Sequence, residues 1–240
     1  MANPHFQNMI LWAGNTDVSE QKKDQPMFMP YPSDQTFYGY FNDFMTYTAT
    51  DWTITSTDAG GDSGEVIQAT SSAGGALLIT TNDADNDSEE LQLKGEAFKL
   101  STSKKAYFSA RFKLSDATES DMLLGLTITD TTAIDGVSDG VFFKKDDGDT
   151  NLDFVVEKDS TETATAAVGT VANDTFITAT FFIDPDRSKV YYSINNAAPV
   201  GVVNTNLPDD EELTVTIAVQ AGAAAAKSLT VDYVSAIVER

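Results

Sequence analysis

The sequence predicts an all-β chain: a two-sheet antiparallel β-sandwich with an extended N-terminal arm. Three observations carry that prediction. β-Branched and aromatic runs at 175–184, 189–194, 213–219 and 228–238 follow one another between turn-forming residues, the spacing of successive antiparallel strands. Within 106–114, Ala106, Phe108, Ala110, Phe112 and Leu114 alternate with Tyr107, Ser109, Arg111 and Lys113, the period-two pattern of a strand with one packed and one wet face. No helix competes with these strands. The alanine run at 221–226 is too short to be stable alone and is weakened by Gly222, and no fixed-period repeat points to a propeller or solenoid.

Residues 1–35 stand apart from the rest. Pro26, Pro30 and Pro32 prevent a regular helix or a central strand there, so this segment reads as an extended arm. Trp12, Phe28, Met29 and Tyr31 are costly to leave in water, and they are the partner-binding candidates of an arm laid on its own domain or on a neighbouring subunit. The sandwich domain is placed at 36–240. It opens with strand-favouring segments at 36–47 and 51–55. Glycines at 60–61, 64 and 74–75 separate strands at 65–69 and 76–81, and a polar loop at 82–90 precedes 91–93. Further strands are predicted at 106–114, 122–129, 140–144 and 152–157, before the four closing runs. The run 213–219 reads as a surface strand able to add to a neighbour's sheet edge.

Composition narrows the classes of function. At 240 residues and 41% hydrophobic content the chain can bury one large core. It has no cysteine, which removes disulfides, thiolate metal sites and a cysteine nucleophile. A formal charge of −22 argues against direct binding to nucleic acid or to an anionic membrane. No apolar run approaches membrane-spanning length, and the first residues lack the order of a secretory signal, so a soluble, unprocessed chain is expected.

The strand order, opening at Trp52 and closing on 229–234, resembles the concanavalin A-like lectin/glucanase jelly roll. Residues 110–114 are similar to that family's central strand, and 181–195 to its late hairpin. The resemblance spans 36–240 and implies the fold, while the same sandwich serves enzymes, lectins and structural modules. The composition as a whole, an acidic cysteine-free sandwich behind a proline-punctuated arm, also resembles virion proteins of tailed bacteriophages that decorate or cement capsids.

Each polar cluster lacks part of a known chemical pattern. Glucanases of this fold carry Glu-x-Asp-x-Glu on one strand; here Asp153 and Glu157 flank Val155, so the trio is absent and a structural role for both acids is expected. The single histidine, His5, is a poor base for a Ser-His-Asp triad and a poor zinc ligand. Calcium is the one cofactor left open. The run 83–87 begins like a calcium loop, but Ser88 replaces the turn glycine and Lys94 the closing glutamate, while 146–151 reads as a hairpin turn with Gly148 left-handed. Glycan contacts would fall to Trp52, Tyr191, Tyr192, Asn195 and Asn196, with the adjacent tyrosines on opposite faces. Gly60 to Gly64 lacks the Lys-Ser/Thr ending of a phosphate loop.

The leading expectation is therefore a virion structural protein without enzymatic activity, a capsid decoration or cement protein on the capsid surface. Its partners would be the major capsid protein and sister subunits in a homo-oligomer, with a trimer among the options. The alternative is a carbohydrate-binding or host-adhesion module, with a glucanase-type enzyme third.

Overall fold

The computed structural model describes residues 9–10, 29–30, 37–58, 65–68 and 73–240. The side chains of Trp12, Phe28, Met29 and Tyr31, and His5, lie outside the described residues. In the arm, β1 (Met9–Ile10) and β2 (Met29–Pro30) pair antiparallel.

The sandwich follows in chain order. Its first part holds β3 (Phe37–Asn42), β4 (Trp52–Thr57), β5 (Glu65–Gln68), β6 (Leu77–Thr80), β7 (Ser88–Leu93) and β8 (Phe98–Lys99). Next come β9 (Ala106–Leu114), β10 (Ser120–Thr127), β11 (Gly140–Lys145), β12 (Asn151–Lys158) and β13 (Thr161–Thr170). The chain closes with β14 (Ile177–Asp184), β15 (Lys189–Ile194), β16 (Val200–Val203), β17 (Glu212–Ala221) and β18 (Ser228–Glu239). Among the described residues the only helical pieces are single turns, at Ala49–Asp51, Ala133–Asp135 and Pro185–Arg187.

These strands form two antiparallel sheets. The first runs β13-β12-β11-β10-β17-β7-β4 with β8 added on β17, and the second runs β16-β15-β14-β9-β18-β6-β5 with β3 added on β18. Between them the inward residues make one apolar core. Phe143 and Phe154 of the first sheet meet Phe181 of the second with ring centroids 6.4 and 6.0 Å apart, and Phe181 stacks on Phe108 at 5.1 Å. Each ring so buried contributes about 2–3 kcal/mol of transfer free energy, which makes this aromatic layer the main clamp between the sheets.

Two expectations are corrected. The strand at 213–219 is no edge: β17 lies between β10 and β7, buried along nearly its whole length. The hydroxyls on this strand are satisfied inside the sheet, Thr214 by donating to the Leu93 carbonyl and Thr216 by bonding Thr127 at 2.7 Å. The wet face expected of 106–114 is wet only at one end. Arg111 and Lys113 are half-buried, whereas Tyr107 packs with Phe37, Phe182 and Ile237 on the outer face of the second sheet.

Candidate functional site

Every second residue of the first sheet points away from the core, and the strand register sorts these residues into rows. One row reads Glu90, Ala218, Leu123, Lys144 and Asp153 across β7, β17, β10, β11 and β12. The next reads Gln92, Thr216, Gly125, Phe142 and Val155. A third reads Thr214, Thr127, Gly140, Glu157 and Glu162, ending on β13.

The connection between β10 and β11 folds back over this face. Ala133 and Val137 from that segment are buried against Leu123, Phe142, Val155 and Ala218, an apolar cluster on the side of the sheet opposite the main core. Polar side chains of β7 hold the segment down. The Glu90 carboxylate accepts the backbone N–H of Ala133 at 2.8 Å and, more weakly, that of Ile134 at 3.4 Å. Gln92 accepts the N–H of Asp130 at 3.1 Å and donates to the Ile128 carbonyl at 3.2 Å. Burial raises the proton affinity of Glu90, the two amides oppose that rise, and the charges of Asp130 and Asp135 add to it.

Beside the segment a cleft of about 280 Å³ stays open. Leu123 and Phe142 form its floor, Ile134, Asp135 and Gly136 one wall, and Lys144, Asp146, Glu157 and Glu162 its polar rim. Glu157 and Glu162 are direct cross-strand partners. The turn between them sets this pairing: Asp159 and Ser160 both take positive φ, at 50° and 59°, as a two-residue hairpin connection requires. Burial pushes the Glu157 carboxyl up, the charge of Glu162 pushes it further, and Lys144 pulls it back. Lys144 lies 3.9 Å from Asp146 on the same rim.

The predicted positions are distributed otherwise. Asp153 and Glu157 share a face as expected of one strand, but Asp153 accepts the Ala167 N–H at 2.7 Å where the β12–β13 register shifts, and so fixes that irregularity. Val155 between them belongs to the apolar cluster. Trp52 is buried in the core beside Tyr40 and Phe44. Tyr192 packs on Phe154 with centroids 5.3 Å apart, while Tyr191 joins the outer cluster of the second sheet, so the two do take opposite faces. Asn195 and Asn196 form a left-handed turn, and Asn195 accepts the Thr178 N–H. These five residues therefore do not converge on one glycan surface.

Of the two oxygen-rich loops, 83–87 is closed by Asp87 accepting the Ala84 N–H, and 146–151 turns on Gly148 at φ +83° with Asp149 capping Asn151. Among the described residues no group of three or more His, Asp or Glu side chains is placed to hold a metal ion. Lys144, Glu162 and the overlying segment went unrecognised in the sequence, although the Glu157-to-Glu162 spacing around a two-residue turn was a usable signal.

No family model matches the chain, and no curated protein matches its sequence. Solved structures do match in shape. A Bacteroides ovatus GH16 protein from a mixed-linkage glucan locus, in complex with a G4G4G3G product, superposes with TM-score 0.59 at 12% identity, covering 82% of this chain and 99% of that one. An endo-1,3-β-glucanase from Streptomyces sioyaensis gives 0.57 at 16% identity, over 88% and 99%. Peanut lectin gives 0.53 at 11% identity, over 84% and 97%. The fold is a concanavalin-like jelly roll. At such identities the likeness concerns the jelly roll alone, which lectins and glucanases share. The expectation that the chain is no enzyme is thereby overturned: the matched structures include glucanases. The acids of this face are not confined to one strand: Glu157 and Glu162 pair across β12 and β13.

Proposed function

We propose that this jelly roll binds carbohydrate, and that the cleft beside residues 129–139 is its binding site. The observation that carries this reading is the cleft itself, an apolar floor of Leu123 and Phe142 under a rim of Lys144, Glu157 and Glu162. Above that floor the half-buried Ile134 gives a sugar ring an apolar surface and the rim gives its hydroxyls charged partners, and the volume suits a short ligand segment. The β7 contacts that pin the overlying segment keep the cleft formed before any ligand arrives, which lowers the cost of binding. Glycan-array screening followed by calorimetry tests it. Binding that is abolished in Lys144→Ala and Glu157→Gln supports the cleft, and saturable binding unaffected by both substitutions refutes it.

A second reading, glycoside hydrolysis, is favoured by the Glu157–Glu162 pair. One carboxyl biased toward its protonated form beside a second carboxylate is the acid-and-partner arrangement that glycosidic cleavage uses. Release of reducing ends from mixed-linkage or 1,3-β-glucans, lost in Glu162→Gln, is the expected result on that reading.

The virion setting joins the first reading: a glycan-binding sandwich displayed on a capsid surface, held to the major capsid protein and to sister subunits through the arm, would act as a host-adhesion module. The acidic, cysteine-free composition and the aromatic arm support it. Copurification with particles that is lost on removing residues 1–35 tests it.

A further inference from the structure

Lys145 ends β11 and is 1% exposed. A lysine so buried needs partners for three N–H groups and for its charge. Its Nζ finds three backbone carbonyls: Ser120 at 2.6 Å, Asp146 at 2.9 Å and, more loosely, Thr118 at 3.4 Å. Carbonyls from two separate chain segments thus converge on one cation.

The same end of the sandwich gathers acids. Asp121, Asp149, Asp147 and Asp116 all act on the Lys145 ammonium and favour its charged form, against the burial that disfavours it. Backbone ties knit the segments together around it: Gly148 N–H donates to the Thr118 carbonyl at 2.8 Å, Asp147 N–H to Asp121 at 2.6 Å, and Gly222 N–H to the Glu119 carbonyl at 3.0 Å. Converging backbone carbonyls are among the oxygen donors that hard cations such as calcium take from proteins, and the acids nearby favour a positive charge at this point.

We infer that Lys145 is a tethered cation, its ammonium filling a carbonyl cage that would otherwise bind a hard metal ion. The cage drawn from the carbonyls of Thr118, Ser120 and Asp146 is therefore a cation site whose cation the chain itself supplies. The native protein takes no calcium there, and the strand end that also forms one side of the cleft stays ordered without metal. This inference stands independently of glycan binding.

Its test compares thermal unfolding of the native chain, Lys145→Met and Lys145→Gln in chelator and in millimolar calcium. Lys104→Met, an exposed site, controls for the change in net charge on a chain of −22. Expected results are a native Tm no more responsive to calcium than that of Lys104→Met, and a loss of roughly 5–10 °C for Lys145→Met in chelator, chiefly from the Ser120 and Asp146 carbonyls losing the ammonium. Calcium should then restore at least half of that loss, saturably. The inference is overturned if calcium raises the native Tm as much as that of Lys145→Met, or if neither Lys145 variant gains more from calcium than Lys104→Met. Should Lys145→Met fail to fold, calcium-dependent refolding of Lys145→Gln decides the same question by the same comparison.

Discussion

Glu90 offers the sharpest test of how the outer face of the first sheet is built. It is 1% exposed and spends its carboxylate on the amides of Ala133 and Ile134. Two substitutions separate its two roles. Glu90→Ala removes the acceptor and leaves the amides of Ala133 and Ile134, in the segment over the apolar cluster, without that partner. At about 1–3 kcal/mol for an unsatisfied buried group, discounted for the weak 3.4 Å contact, the loss is about 2–4 kcal/mol, or roughly 5–12 °C in Tm. Glu90→Gln keeps an acceptor oxygen and removes the charge. Because burial holds the folded carboxyl above its ordinary value, the stabilising contribution of Glu90 is fully present below the unfolded value of 4.5 and is lost as pH rises through the folded value. The ionised group is thus a net cost near neutrality. Glu90→Gln should therefore match the native chain at pH 4 and exceed it at pH 7. Urea unfolding across that range measures the difference, and hydrogen exchange at Ala133 and Ile134 locates it. If Glu90→Gln were as unstable as Glu90→Ala at pH 7, or if its deficit appeared at neutrality and vanished in acid, the proposed balance between burial and amide bonding would be wrong.

Three further outcomes are expected. A Cβ on residue 125 would lie 2.5 Å from the Phe142 Cα and Cβ and from the Val141 carbonyl, so Gly125→Ala should cost about 2–3 kcal/mol, read as a lower urea midpoint at unchanged slope. Glu162→Gln should lower the titration midpoint of Glu157, followed by carboxyl-carbon NMR, while burial keeps it above the ordinary value; an unmoved midpoint would show that the cross-strand charge does not reach Glu157. Lys227, nearly buried, donates to Asp116 at 2.8 Å and is the first cause of that carboxyl's depressed proton affinity. Asp116 therefore stabilises the fold above its unfolded value and ceases to do so as pH falls through the folded one. Lys227→Met should cost about 1.5 kcal/mol at pH 7 and progressively less in acid.

The strands were legible where burial on one side or both left a mark in residue type. β9 and β15 match the sequence reading at both ends, because alternation and aromatic content there reflect packing directly. β13 was not read: as an edge strand with a mostly exposed face it needs no large apolar residue, and its Thr and Ala run carries little signal. β17 was recognised but misplaced, since threonines that bond within a covered face look the same in sequence as threonines facing water. The site was less legible than the fold for the same reason. Leu123 and Phe142 read as core, and they are buried, but under residues 129–139 and not between the sheets. Only the structure tells one apolar layer from the other.

What the sheet adds to the chemistry is spacing. Two acids on one strand separated by one residue stand on the same face, the arrangement sought at 153–157 and not found. Glu157 and Glu162 reach a comparable closeness by another route, as opposite members of an antiparallel pair, whose Cβ atoms lie about 4.5–5.5 Å apart. The two-residue turn leaves no freedom to change that register. Retaining glycosidases hold their carboxyls about 5–5.5 Å apart, whereas inverting ones leave about 6.5–9.5 Å for a water molecule. On the hydrolytic reading Glu157 is the acid, because its carboxyl is the one biased toward its proton, and the stereochemistry of the product reports the distance at which the two carboxyls work. NMR of the first-formed anomer reads that distance: unchanged configuration means direct attack by the second carboxylate at the closer spacing, inversion means a water held between the two, and activity that survives Glu162→Gln places the chemistry elsewhere on the molecule.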